Sequence, residues 1–130
     1  MKAILCKSFG PPENLVLEEV EDLKPGEGEA LVEVYAAALN FPDTLQIAGK
    51  YQYQPPFPFI PGSEAGGFIK ELGPNVKEFD TGDRVMANPG IGAMAEQVCV
   101  PYGRLRKIPD SMSFKTASGF PMVYTTSYYA

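Results

Sequence analysis

Residues 29–43 read Glu29-Ala30-Leu31-Val32-Glu33-Val34-Tyr35-Ala36-Ala37-Ala38-Leu39-Asn40-Phe41-Pro42-Asp43, and the change of rhythm inside this stretch decides the fold. Up to Leu39 the side chains alternate. Ala30, Val32, Val34 and Ala36 share one face and Leu31, Glu33 and Tyr35 the other, the period-two pattern of a half-buried strand. At Asn40 the pattern becomes a helix start. Asn is a favoured N-cap, Pro42 suits the first turn, where its missing N–H costs nothing, and Asp43 complements the helix dipole. Leu45, Ile47 and Ala48 supply an apolar face and Gly49 an end, so a short helix over 41–48 is expected.

The rest of the chain repeats the strand-and-turn theme. Strands are expected over 2–9, 15–20, 68–72, 84–87, 93–100 and 104–108, separated by Gly10-Pro11-Pro12, Lys24-Pro25-Gly26, Gly73-Pro74-Asn75 and Thr81-Gly82. Between 50 and 61, Tyr51, Tyr53, Phe57 and Phe59 alternate with Gln and Pro, which suits an irregular loop that covers or serves a site. Up to Pro109 the reading is mainly β, a partly open barrel of short strands. Then Ser113 is a plausible N-cap for a short helix over 114–118, and a second helix is expected to start at Pro121 and run to 130.

Length allows one domain of 130 residues. Thirteen Gly and thirteen Pro are spread along the chain, which fits many turns rather than a disordered tract. A net charge of -5 disfavours nucleic acid as a partner. No stretch approaches the ~20 apolar residues of a membrane span, and the first residues read as a strand rather than a secretory signal. Cys6 and Cys99 lie in apolar, strand-like runs. They read as buried core thiols, with a disulfide or a redox role as alternatives, and a reducing, cytoplasmic compartment fits. With no His in the chain, two distant Cys make no zinc site.

Two segments carry a resemblance: residues 36–43, ending Asn40-Phe41-Pro42-Asp43, and Pro61-Gly62-Ser63-Glu64-Ala65-Gly66-Gly67. With Met1-Lys2-Ala3, Gly10-Pro11-Pro12-Glu13, Gly49-Lys50-Tyr51 and Gly82-Asp83-Arg84-Val85 in the same order, the chain resembles the N-terminal, GroES-like catalytic domain of the medium-chain dehydrogenases/reductases. Zinc enzymes of that superfamily have Cys at the place of Asn40 and His at that of Ser63. Their absence points to the zinc-free, quinone-oxidoreductase branch. The resemblance implies a GroES-like catalytic domain over residues 1–119 and, over 120–130, the start of a linker helix to a dinucleotide-binding domain. No Gly-x-Gly-x-x-Gly stands between a strand and a helix in these residues. The 130 residues by themselves are therefore expected to be inactive.

The same resemblance implies an NADPH-dependent reductase of quinones or α,β-unsaturated carbonyls, a homodimer in its full-length form. An enoyl-thioester reductase or a non-catalytic binding domain are the alternatives. It places the Asn40 amide and Thr126 against the nicotinamide end of NADPH. Asn40 as N-cap and Thr126 on the polar face of a linker helix are the structural readings. Tyr51 is implied as proton or hydrogen-bond donor to the negative charge that hydride addition leaves on a conjugated carbonyl; its plain alternative is a packing aromatic. Glu64 reads as scaffold, accepting backbone N–H groups or paired with a cation such as Arg84. Phe41, Tyr51, Tyr53 and Phe57 are expected to make the pocket apolar.

Overall fold

The computed structural model describes residues 1–129. Strand β1 (Lys2–Leu5) pairs antiparallel with β2 (Val16–Glu19) after a 3-10 turn at Pro12–Asn14. Next come β3 (Glu29–Ala38), helix α1 (Phe41–Ile47), β4 (Glu64–Leu72), β5 (Arg84–Ala87), β6 (Gln97–Pro101), β7 (Leu105–Lys107) and helix α2 (Phe114–Tyr129). The five later strands form one antiparallel sheet in the order β6-β3-β4-β5-β7. Isolated bridges join Ala3 to Ala95, just before β6, and Cys6, just after β1, to Phe59 in the segment between α1 and β4. This is the mainly β, partly open barrel that the turn-rich sequence implied.

The long strand β3 sits between β6 and β4, and one buried cluster holds the sheet together: Ala30, Val32, Ile69, Val85, Val98, Val100 and their neighbours. Register shifts after Leu31 and Val34 bend β3, as bulges do in curled sheets. A second cluster of Cys6, Ile47 and Phe59 joins α1 and the 50–63 loop to β1.

Several boundaries differ from the sequence reading. β4 begins at Glu64, not at 68, so Gly66 and Gly67 lie inside a strand. The reason is close approach. A Cβ on Gly67 would stand 1.9 Å from the Glu33 carbonyl oxygen, and one on Gly66 would stand 2.7 Å from that of Phe114. β6 starts at Gln97, because Ala93 and Met94 donate instead to the carbonyls of Gly62 and Pro61. All four residues of β2 are exposed.

The C-terminal segment is one helix rather than two. Ser113 caps it as expected, its Oγ accepting the Thr116 N–H at 3.1 Å. The helix then continues through Gly119 and Pro121. A proline inside a helix removes one N–H and crowds the carbonyl a turn back, and here the helix persists through both losses. Ala130 lies outside the described residues. Arg84 is not the partner of Glu64. Its guanidinium donates to the Pro109 and Met112 carbonyls at 2.8 and 2.6 Å and lies 4.5 Å over the Phe114 ring, pinning the start of α2 to β5.

Candidate active site

The switch at Asn40 occurs where β3 leaves the sheet. The Asp43 carboxylate reaches back to accept the Asn40 N–H at 2.8 Å, and the Asp43 N–H donates to the Asn40 carbonyl at 3.0 Å, which closes the first turn of α1. The Asn40 side chain turns elsewhere. Its Nδ2 donates to Glu64 Oε2 at 3.0 Å. The other oxygen of Glu64 accepts the backbone N–H of Met122, in the middle of α2. Glu64 is fully buried, so its carboxylate is held by two donors in place of water. Accepting a backbone N–H was one of the readings of Glu64; the Asn40 amide was not foreseen.

Met122, at one end of this junction, lines a cavity of about 170 Å3 together with Asp43, Gln46, Tyr51, Tyr53, Ser63, Asn88 and Gly90, while Asn40 and Glu64 lie behind its wall. The structure thus brings Tyr51 to the same hollow as the α1 start and the middle of α2. Tyr51 is 37% exposed and lies at the mouth. Thr126 stands one helical turn beyond Met122, exposed and outside the cavity lining. Phe41 is 74% exposed, and Phe57 packs on Phe9 at 4.7 Å, so neither lines the hollow. The expected all-apolar pocket is therefore polar on one wall. A purely apolar hollow of about 230 Å3 lies beside it, lined by Leu15, Leu39, Ile47, Pro61 and Met94, and Asn40 and Asp43 border it too.

Two groups in the polar wall are unusual. Ser63 is buried, and its Oγ has no hydrogen-bond partner among the described residues. A buried hydroxyl without a partner is costly, so a free donor on a cavity wall marks a place where a ligand atom can complete it. Asp43 is also buried, and desolvation pushes its carboxyl above the ordinary range against the opposing pull of the Asn40 N–H. The sequence reading noted Ser63 as standing where zinc enzymes have His, and missed both its hydroxyl and the Met122 amide. Pro121 was the available signal for the second, since a helical proline disturbs the hydrogen bonding of the turn around it.

The donor set bears on metals and thiols. Asn40 and Ser63 offer neutral oxygen and nitrogen, both Glu64 oxygens are occupied, and among the described residues no three His, Cys, Asp or Glu side chains converge. Protein zinc sites take three or four thiolate, imidazole or carboxylate ligands, and this wall offers the single carboxylate of Asp43. Both cysteines are free. Cys6 is buried, while Cys99 is only half-buried, and its thiol is pushed up to about 11 by burial, with Glu29 and Glu71 adding to it. A thiol held in that form is a poor nucleophile.

Comparison with known proteins agrees with this architecture. Residues 26–110 match the family model of the alcohol dehydrogenase GroES-like domain. The chain belongs to this family. The GroES-like domain superposes on the crystal structure of human synaptic vesicle membrane protein VAT-1 homolog-like protein with a TM-score of 0.96 at 40% identity, covering 98% of this chain and 41% of that one. It superposes on Escherichia coli quinone oxidoreductase complexed with NADPH with a TM-score of 0.94 at 31% identity, covering 99% of this chain and 40% of the other. A quinone oxidoreductase-like protein 2 homolog of Nematostella vectensis is 39% identical over 131 residues, 98% of this chain and 35% of its own length. The chain spans about a third of the length of the curated relatives it matches. The GroES-like domain is thus of the quinone-oxidoreductase-like kind within the medium-chain superfamily. Among the described residues no helix is long and apolar enough to cross a membrane.

Proposed function

We propose that this domain is the substrate-binding, catalytic half of an NADPH-dependent oxidoreductase that reduces quinones or α,β-unsaturated carbonyls without zinc. A dinucleotide-binding domain would complete it. The observation that carries the reading is the unpartnered Ser63 hydroxyl on a wall shared with Tyr51, beside the Asn40–Glu64–Met122 junction. The Ser63 and Tyr51 hydroxyls and the second amide hydrogen of Asn40 are neutral hydrogen-bond donors, the type that suits a nicotinamide amide and a carbonyl oxygen. NADPH, when bound, supplies the hydride. Ser63 and Tyr51 then donate to the substrate oxygen as negative charge develops on it, and Tyr51 at the solvent-exposed mouth can return a proton. Asn40, with one amide hydrogen already given to Glu64, offers its second to the cofactor. Thr126, one turn along α2, adds a hydroxyl on the same side.

The relatives' greater length supports a longer functional protein, proposed as a cytoplasmic homodimer acting on a small molecule. The test is NADPH oxidation by the longest natural form of the protein, with a quinone and with an enone. Turnover of either is expected, with kcat lowered about 100-fold in Tyr51→Phe and the NADPH Kd raised in Asn40→Ala. Absence of both NADPH binding and turnover overturns the reading in favour of a binding domain. Unchanged kcat in Tyr51→Phe removes that residue from the chemistry.

A further inference from the structure

A second hollow, of about 310 Å3, adjoins the candidate site along α2. Asn88, Gly103, Arg104, Arg106, Phe120 and Pro121 line it. Asn88 belongs to both hollows, and the consecutive residues Pro121 and Met122 wall one and the other. Arg104 stands at the seam. Its Nη1 lies 3.3 Å from where a Cβ on Gly90 would be, and Gly90 lines the first hollow. A side chain there would crowd the guanidinium, and the backbone bond from Asn88 N–H to the Arg104 carbonyl, 3.1 Å, holds the two strands in place around it.

The charge of this hollow runs against that of the chain. The protein carries -5 overall, yet no carboxylate lines this wall. Arg104 has no side-chain hydrogen bond or ion pair among the described residues. Arg106 donates through Nη1 to the Gly103 and Leu105 carbonyls, at 3.1 and 2.8 Å, which fixes its fork and leaves the rest of the guanidinium free. Two uncompensated guanidinium groups on one wall favour a carboxylate or phosphate, which they can meet with paired, charge-assisted hydrogen bonds. Phe120, stacked on Tyr124 with ring centroids 4.7 Å apart, adds an apolar surface beside them.

We propose that Arg104 and Arg106 form an anion subsite, and that the substrate is a conjugated carbonyl compound with a carboxylate or phosphate at its far end. The anionic end sits in the arginine hollow. The chain passes Asn88 and Gly90, and the carbonyl reaches Ser63 and Tyr51. The carbonyl half of this statement rests on the reductase reading above; the anion half does not.

The test uses three straight-chain trans-enones that differ only in ending with a phosphate, a carboxylate or a hydroxyl. Backbone amide shifts of the 130-residue chain are followed during titration. Saturable shifts are expected at Asn88, Gly90 and Gly103 with the charged probes, about tenfold tighter than with the hydroxyl probe, and weakening as added salt screens exposed charge. The tighter of the two charged probes identifies the anion. Arg104→Gln, at an exposed position whose loss leaves the sheet intact, should weaken the charged probes about tenfold and leave the hydroxyl probe unchanged, while Arg104→Lys recovers part of the loss. Equal binding of all three probes, shifts confined elsewhere, or no effect of Arg104→Gln overturns the subsite. In the longer protein, a change confined to the KM for NADPH would also overturn it, by assigning the arginines to the cofactor. Failure of NADPH turnover removes the reductase reading alone, because the titration needs no hydride transfer.

Discussion

In the five-stranded sheet, Val32, Ile69, Val85, Val100 and Leu105 close on one another with almost no exposed surface. Behind the cavity wall, where α1 and α2 meet, order comes from one buried carboxylate and two donors. The sheet is held by area and fit, which tolerate no extra atoms and need no particular partner. The wall is held by specific pairs, each of which fails when either member is lost. A ligand can compete at the second kind of surface and not at the first.

The largest break in this contrast comes from the sheet. Gly67→Ala puts a Cβ where the Glu33 carbonyl oxygen stands, and should cost roughly 3 kcal/mol or prevent folding; denaturant unfolding reads it directly. Next is Glu64→Ala, which strands the Asn40 amide and the Met122 N–H. A loss of about 2–3 kcal/mol is expected, with Glu64→Gln recovering much of it by keeping one acceptor. If Glu64→Ala unfolds at the same denaturant concentration as the unmodified protein, the carboxylate is not what joins α1 to α2.

Ser63→Ala sharpens the comparison from the other side. Removing an unpartnered hydroxyl should leave stability within about 0.5 kcal/mol or raise it, while kcat for quinone in the longer protein falls about tenfold through loss of one donor to the oxygen on which charge develops. A destabilised Ser63→Ala would mean the hydroxyl serves the fold.

The smallest effect is a pH dependence at Asp43. Burial raises its folded carboxyl above its unfolded value of 3.8. Its contribution is therefore most favourable below that value and is lost as pH rises through the folded one. Asp43→Asn removes this dependence, so its Tm relative to the unmodified protein should climb by on the order of 1–2 °C between acid and neutral pH. A constant difference across that range would show that the carboxyl does not titrate with folding.

How much of this was legible beforehand follows the same division. The alternation at 29–39, the N-cap at Asn40 and the cap at Ser113 are local rules, and the structure has them. The partly open barrel followed from turn spacing in the same way. The start of β4 at Glu64 was not legible, because two glycines read as a turn until the Glu33 and Phe114 carbonyls are known to press against them. The single α2 helix was missed for a similar reason. Pro121 argues locally for a break, and only packing of the helix on β3, β4 and β5 overrides it. At the site, Tyr51 was named from the family resemblance, and the structure places it on the cavity lining. The partners of Glu64 could not be named, since no rule of spacing connects it with Asn40 or Met122.

The Glu64 bonds span 24 residues to Asn40 and 58 to Met122. The strand ladders close loops as long or longer, from Ala38 to Glu64 and from Glu29 to Pro101; what sets the Glu64 contacts apart is that each is a single hydrogen bond, while the ladders are backed by packed apolar area. Amide exchange should then release the Met122 proton through partial opening, well before the protons of β3 and β4, and the chain can lose its site while keeping its barrel.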